Sequence, residues 1–289
     1  MISASTLTQI LINGLTAGSF YVLMALGFTL IFGILRLVNF AHGEFYMIGA
    51  FVTYYLISKF TINYFLAIAL STVVVGVIGF AIEKALFAPL RGRELSMLMS
   101  ALGLQITIQG LMAVWVGVDS YSIAPPFTGI IEFDIFSFPV ERIFVVGLTL
   151  LVLLLFYLLI KFTMIGKALR AVALDDEAAQ MQGIPVNRVY TLAFGLGCSL
   201  AAIAGALIGP VFSLHVYMGQ AALLKAFIVV ILGGLGSIPG AVLGGLILGF
   251  GESAFATLLG GLTAEMFGFG LIIFILLLRP SGLLGRPQL

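Results

Sequence analysis

Apolar runs of about 20 residues, the length needed to cross the hydrocarbon of a bilayer as a helix, recur along the whole of this 289-residue chain between short polar interruptions. By that measure helices are expected near Leu7–Leu35, Glu44–Ser58, Ile62–Ile82, Leu95–Val118, Ile143–Ile160, Tyr190–Gly209, Leu223–Leu232, Ala241–Leu259 and Met266–Leu278. Several are short, and Glu44–Ser58 and Leu223–Leu232 fall below spanning length. The expected fold is therefore all-α, a polytopic membrane helical bundle of about 8–10 helices with broken or re-entrant segments.

A soluble alternative fails on composition, since 62% hydrophobic and 9% charged residues cannot clothe a water-exposed surface. Thirty-five glycines suit helices packed closely through small residues, whereas a β-barrel would show short alternating segments. A single cysteine, Cys198, excludes a disulfide framework and reads as a small apolar packing residue. A net charge of +1 with no basic stripe excludes nucleic acid as a partner. Met1 to Leu35 carries no charged side chain and is too long for the core of a secretion signal, so it is expected to stay in the bilayer.

The basic residues assign the sides. Lys84, Arg91 and Arg93 fall in one interruption, Lys161, Lys167, Arg170 and Arg188 in a second, and Arg279 and Arg286 at the end, which are the cytoplasmic ground by the positive-inside rule. Asp119–Arg142 holds Asp119, Glu132, Asp134 and Glu141 against Arg142 alone, with Pro125-Pro126, and reads as external. The side of the N-terminus is left open. Gly27–Tyr55 and Ala226–Ala254 each run from an apolar stretch through a polar or Gly-rich break into a small-residue helix, a pattern that points to an internal structural repeat with a pathway at its interface. Composition alone also makes Gly-rich membrane helices look alike.

The loop 161–188 is too long for a plain connection and too short for a domain. Asp175 is placed to cap a helix over Asp176–Gln182, Asp176 and Glu177 put negative charge on its first turn, and Gly183 with Pro185 ends it. A second stretch, Gly166–Leu174, precedes it with Ala168, Ala171, Val172 and Ala173. Short helices outside the bilayer with small-residue surfaces suit docking into a partner's groove.

The run Glu177-Ala178-Ala179-Gln180-Met181-Gln182-Gly183-Ile184 resembles the loop by which permeases of ATP-binding cassette (ABC) importers sit on their ATPase. Further runs, among them Asn39-Phe40-Ala41-His42-Gly43-Glu44, Gly166-Lys167-Ala168-Leu169-Arg170-Ala171, Leu232 to Gly240 and Arg279 to Gly285, are similar in order and content to the branched-chain amino-acid permease family of LivH type. The resemblance implies one transmembrane permease domain over residues 1–289, type II-like, importing branched-chain or other hydrophobic amino acids across a bacterial or archaeal inner membrane. Urea, short amides and aromatic acids are substrates of similar permeases. The implied partners are two ATP-binding subunits, a second related permease and an extracytoplasmic substrate-binding protein. The docking contacts would come from Arg170, Asp175, Glu177, Ala178, Ala179 and Gly183, and closure of the ATPases would move the loop helix and rock the membrane halves.

Within this chain no catalysis and no cofactor are expected. The only Gly-Lys pair, Gly166-Lys167, lacks the rest of a phosphate-binding loop, and no His-Glu-x-x-His or Gly-x-Ser-x-Gly occurs. Two histidines without a cysteine partner make a metal site unexpected. Ionisable and amide side chains at membrane depth are the candidates for a pathway: Asn39, His42, Glu44, Gln105, Gln109 and Glu252. Each has a plainer reading. Arg36, Asn39 and Glu44 suit an interfacial corner with a snorkelling arginine and a helix cap; Gln105 and Gln109, four apart on one face, suit bonds between helices; Glu252 suits a pair with Lys225 or His215. A self-sufficient secondary transporter is the competing class, and the capped loop helix argues against it.

Overall fold

The computed structural model describes residues 4–127, 129–133 and 136–285. Arg286 and Asp134 lie outside the described residues, as does the start of the Met1 to Leu35 run. Eleven α-helices are described: α1 Ala4–Leu35, α2 His42–Phe60, α3 Tyr64–Ile82, α4 Glu94–Val116, α5 Val140–Phe162, α6 Met164–Leu174, α7 Asp176–Met181, α8 Val186–Ile208, α9 Met218–Gly233, α10 Ile238–Leu259 and α11 Gly261–Leu278. With α6 and α7 in the loop after α5, nine belong to the membrane bundle. Seven are long and apolar enough to span: α1, α3, α4, α5, α8, α10 and α11. The protein is a multi-pass membrane protein.

Burial divides these helices. The most apolar stretch of α1 is 78% buried and that of α8 67%, against 11–17% for α4, α5 and α11. The central helices pack through small residues because lipid offers apolar side chains no reason to leave it, so close backbone approach has to supply the attraction. Gly27 of α1 and Gly197 of α8 face each other in this way, each lying where the other's Cβ would stand. The outer helices present Val114, Trp115, Leu262 and Leu277 outward.

One end of the bundle gathers Arg36 after α1, Arg91 before α4 and the α6–α7 loop around a shared cleft, and is here called the basic face. Helix α1 therefore begins at the opposite face and descends. The next segment, residues 36–41, turns back: His42 opens α2 with Nε2 3.2 Å from the carbonyl oxygen of Met24. Met24 and Gly27 lie eight to eleven residues above the end of α1, roughly 12–16 Å at 1.5 Å per residue. So α2 begins inside the bundle and rises to the opposite face. Helix α8 ascends beside α1, residues 209–217 turn back inward, and α9 begins inside the bundle, where Gly219 meets Gly43, and descends to the basic face. The unit α1–α2 and the unit α8–α9 thus run in opposite senses, an inverted repeat with its two breaks meeting in the middle.

This pairing differs from the one expected from sequence. The Gly-rich break in Ala226–Ala254 is a tight turn at the basic face, where the backbones of Gly233 and Gly240 touch, and the counterpart of 36–41 is 209–217. The two breaks share no residue pattern. One further boundary differs. Helix α5 starts at Val140, which takes Glu141 and Arg142 out of the loop expected to be external, and that loop carries a small antiparallel hairpin, Ile130–Phe133 with Phe136–Pro139. Tyr121 bridges it to Leu214 by paired backbone hydrogen bonds of 2.7 and 2.9 Å.

Candidate docking loop and transmembrane polar sites

The loop after α5 folds as two short helices for local reasons. The hydroxyl of Thr163 accepts from the Gly166 N–H at 3.0 Å and opens α6; the Asp175 carboxylate accepts from the Ala178 N–H at 2.9 Å and opens α7. Gly183 then takes φ +80°, a left-handed turn that glycine enters without a Cβ penalty, and Pro185 precedes α8. The expected helix Asp176–Gln182 is thus present as Asp176–Met181.

Two residues singled out for docking are committed elsewhere. Ala179 is 5% exposed and packs inward in the cluster with Leu169, Val172 and Val189, because the i, i+3 spacing of a one-and-a-half-turn helix must turn one residue to the core. Arg170 donates from Nη1 to the carbonyl of Ile160 at 2.8 Å, tying α6 to the end of α5. Glu177, Ala178 and Gly183 are exposed. The same surface presents Leu174 and Met181, 64% and 87% exposed, outside the spanning helices. Reading the loop for small residues passed over these larger apolar side chains, although Met181 stands within the motif.

Beneath α7 lies a network that sequence reasoning missed. Tyr190 of α8 donates its hydroxyl to Asp176 Oδ2 at 2.7 Å, which holds that carboxyl below the usual carboxylate range. The Arg91 guanidinium lies over the Tyr190 ring, 4.8 Å from its centroid, and bonds both Asn187 and Glu83. Glu83 is fully buried, and its second oxygen accepts from Thr191. Glu83 opens a π-helical turn, Glu83–Phe87, at the foot of α3, a departure from α geometry that recurs at functional sites. The contacts of Glu83 with Thr191 and of Arg91 with Asn187 span about a hundred residues and leave no sequence signal.

Within the membrane, Asn39, His42 and Glu44 are fully buried. The corner is therefore not interfacial, and neither carboxylate oxygen of Glu44 caps a helix: α2 begins after Ala41 with no side-chain cap. Asn39 Oδ1 accepts from the Ala41 N–H at 3.1 Å, while Asn39 Nδ2, His42 Nδ1 and both oxygens of Glu44 have no hydrogen-bond partner among the described residues. Arg36 alone of the cluster is exposed, at φ +52° on the basic face. Glu252 of α10 belongs to a separate set, ion-paired with Lys225 of α9 and accepting from the hydroxyl of Tyr21 of α1 at 2.6 Å. His215 is not its partner. Gln105 and Gln109 share a half-buried face of α4, and Gln109 Nε2 is buried without a partner among the described residues.

These features are compatible with a solute carrier driven from its basic face, and comparison with known proteins supplies the family. Residues 10–277 match the family model described as branched-chain amino acid transport system / permease component. The chain is similar to the high-affinity branched-chain amino acid transport system permease protein BraD of Pseudomonas aeruginosa, 39% identical over 97% of this chain and 96% of that protein. It is 35% identical to LivH of Escherichia coli (strain K12), a permease protein of the same description, with the same coverage. A second kind of permease, LivM of Salmonella typhimurium, is 26% identical over 93% of this chain and 69% of its own length.

Proposed function

Because this chain belongs to the family of branched-chain amino acid transport system permease components, we propose that it is the membrane permease subunit of an ABC importer that brings branched-chain amino acids across the inner membrane of a bacterium or archaeon. The observation that carries the reading is the family match, which runs from α1 to α11 and includes the α6–α7 loop. In this reading the chain hydrolyses nothing and holds no cofactor. Two ATP-binding subunits dock on α6–α7 through Glu177, Ala178, Leu174 and Met181. A related permease of LivM kind pairs with it, and an extracytoplasmic binding protein delivers the solute to the opposite face.

The solute path follows the inverted repeat. Interrupted helices meeting at membrane depth, with unpartnered polar groups beside them, are how carriers hold polar solutes inside a bilayer. Asn39, His42 and Glu44 supply such groups at the start of α2; Gln105 and Gln109 line the neighbouring α4. Glu252, paired with Lys225, keeps α9 against α10 as the halves rock.

The test is to tag the chain at its C-terminus, extract it mildly from native membranes, and assay co-purifying proteins, ATPase activity and uptake of labelled leucine, isoleucine and valine with the binding protein present. Recovery of an ATP-binding subunit with ATP-dependent uptake of these solutes is expected. Ion-driven uptake by the chain alone would replace the reading with a secondary carrier.

A further inference from the structure

We propose that the hydrogen bond between Asp176 and Tyr190 is the joint through which the docking helix α7 moves the membrane helices, with Arg91 and Glu83 stiffening the far side of that joint. The inference rests on the ABC importer reading and adds the path by which the motion travels.

Helix α7 has six residues, Asp176–Met181, and an exposed outer surface. A rigid push needs a grip on the bundle. The Gly183 turn is a pliant connection, and Ala179 offers one methyl group to the core. The strong directional contact is the charge-assisted bond from the Tyr190 hydroxyl to Asp176 Oδ2, 2.7 Å long. From Tyr190 the contacts continue without a gap. Its ring is covered by Arg91, Arg91 pairs with the fully buried Glu83, and Glu83 accepts from Thr191, one turn from the start of α8. One side of α7 is thereby linked to α8, to the foot of α3 and to the corner before α4.

Asp176, Tyr190 and Arg91 also border room to move. A cleft of about 400 Å³ separates α7 from the end of α1, lined by Arg36, Leu37, Val172, Ala173, Asp176 and Tyr190 among others. Tyr190 stands at its wall with one edge in the network and its hydroxyl on α7. Because α8 packs on α1 through Gly27 and Gly197, a displacement of α8 reaches the central break. Asp176 and Tyr190 are positioning residues in this scheme and touch no solute.

The experiment uses the complete transporter in proteoliposomes, with uptake and ATP hydrolysis measured on the same sample. Tyr190→Phe removes the hydroxyl and keeps the ring under Arg91. Uptake per ATP should fall about three- to tenfold, the scale of single-residue changes in coupling, with the KM for solute unchanged, ATP hydrolysis retained and the ATPase still co-purifying. Asp176→Ala should do the same, Asp176→Asn should restore most of the coupling by keeping an acceptor, and the double variant should be no worse than either single one. Unchanged uptake per ATP in Tyr190→Phe, additive losses in the double variant, or loss of the ATPase from the complex would overturn the joint. A parent protein without ATP-dependent uptake would instead overturn the importer reading beneath it.

Discussion

Gly43 at the start of α2 and Gly219 at the start of α9 meet backbone to backbone in the middle of the bundle, each lying where the other's Cβ would stand. The contact joins the two breaks of the inverted repeat, and only residues without a side chain allow it. The nearest atom to a Cβ on either residue is a carbonyl oxygen of the other, which cannot rotate away.

Gly43→Ala and Gly219→Ala should each destabilise the protein by about 1–3 kcal/mol, the usual cost of overpacking, and the two together should cost less than their sum because one separation of the helices relieves both. Thermal unfolding of the purified protein in detergent measures this. Single variants as stable as the parent would show that the breaks do not bear on each other.

Removing one member of the Lys225–Glu252 pair leaves the other charge stranded between α9, α10 and α1. Lys225→Met or Glu252→Leu alone should therefore cost about 3 kcal/mol, the lower part of the range for breaking buried pairs because Lys225 keeps some exposure. The double variant, with both charges gone, should recover most of the loss. Unfolding curves of the four proteins decide, and a double variant as unstable as the sum of the singles would deny the pairing.

Glu44→Gln keeps the size of the side chain and replaces an ionisable carboxyl with an amide. With neither oxygen held by the protein, the substitution should leave thermal stability near that of the parent while leucine uptake falls severalfold at matched membrane abundance. Uptake equal to the parent would remove Glu44 from the solute path.

Gly183 adopts φ +80° with open space around its Cα, so a substitution there acts through backbone strain and not through a clash. Gly183→Val should cost about 1–2 kcal/mol locally, tilt α7, and lower uptake per ATP while the protein stays in the membrane; Gly183→Asn, which tolerates this conformation, should be milder. Asp175→Ala should act in the same direction through loss of the cap, worth about 1 kcal/mol. Coupling ratios indistinguishable from the parent in all three would remove the loop from energy transfer.

Much of this was legible in the chain. The limits of α1, α3, α8, α10 and α11 lie within a few residues of the apolar runs at one end or both, because membrane solvation acts on each segment alone. The cap at Asp175 and the stop at Gly183 are equally local. Helix α9 opens at Met218, five residues before the run Leu223–Leu232, since Gly219 and Gln220 interrupt the apolar pattern; Gly219 is buried against α2.

The sequence by itself determined that this is a membrane bundle, where most of its helices lie, that some of its apolar segments fall below spanning length, and that a capped helix stands between α5 and α8. These follow from hydropathy, length and turn chemistry, which neighbouring residues settle among themselves. Only the tertiary structure decided that 36–41 is answered by 209–217 and not by the glycines of Gly233–Gly240, that Glu252 takes Lys225 and Tyr21, that Ala179 faces inward, and that Asp176, Tyr190, Arg91 and Glu83 form one chain of contacts. Each of these depends on how separate elements are brought together, even where the residues are as near in sequence as Asp176 and Tyr190, 14 apart, and the choice among possible partners is made by which helix backbones can approach closely enough to pack.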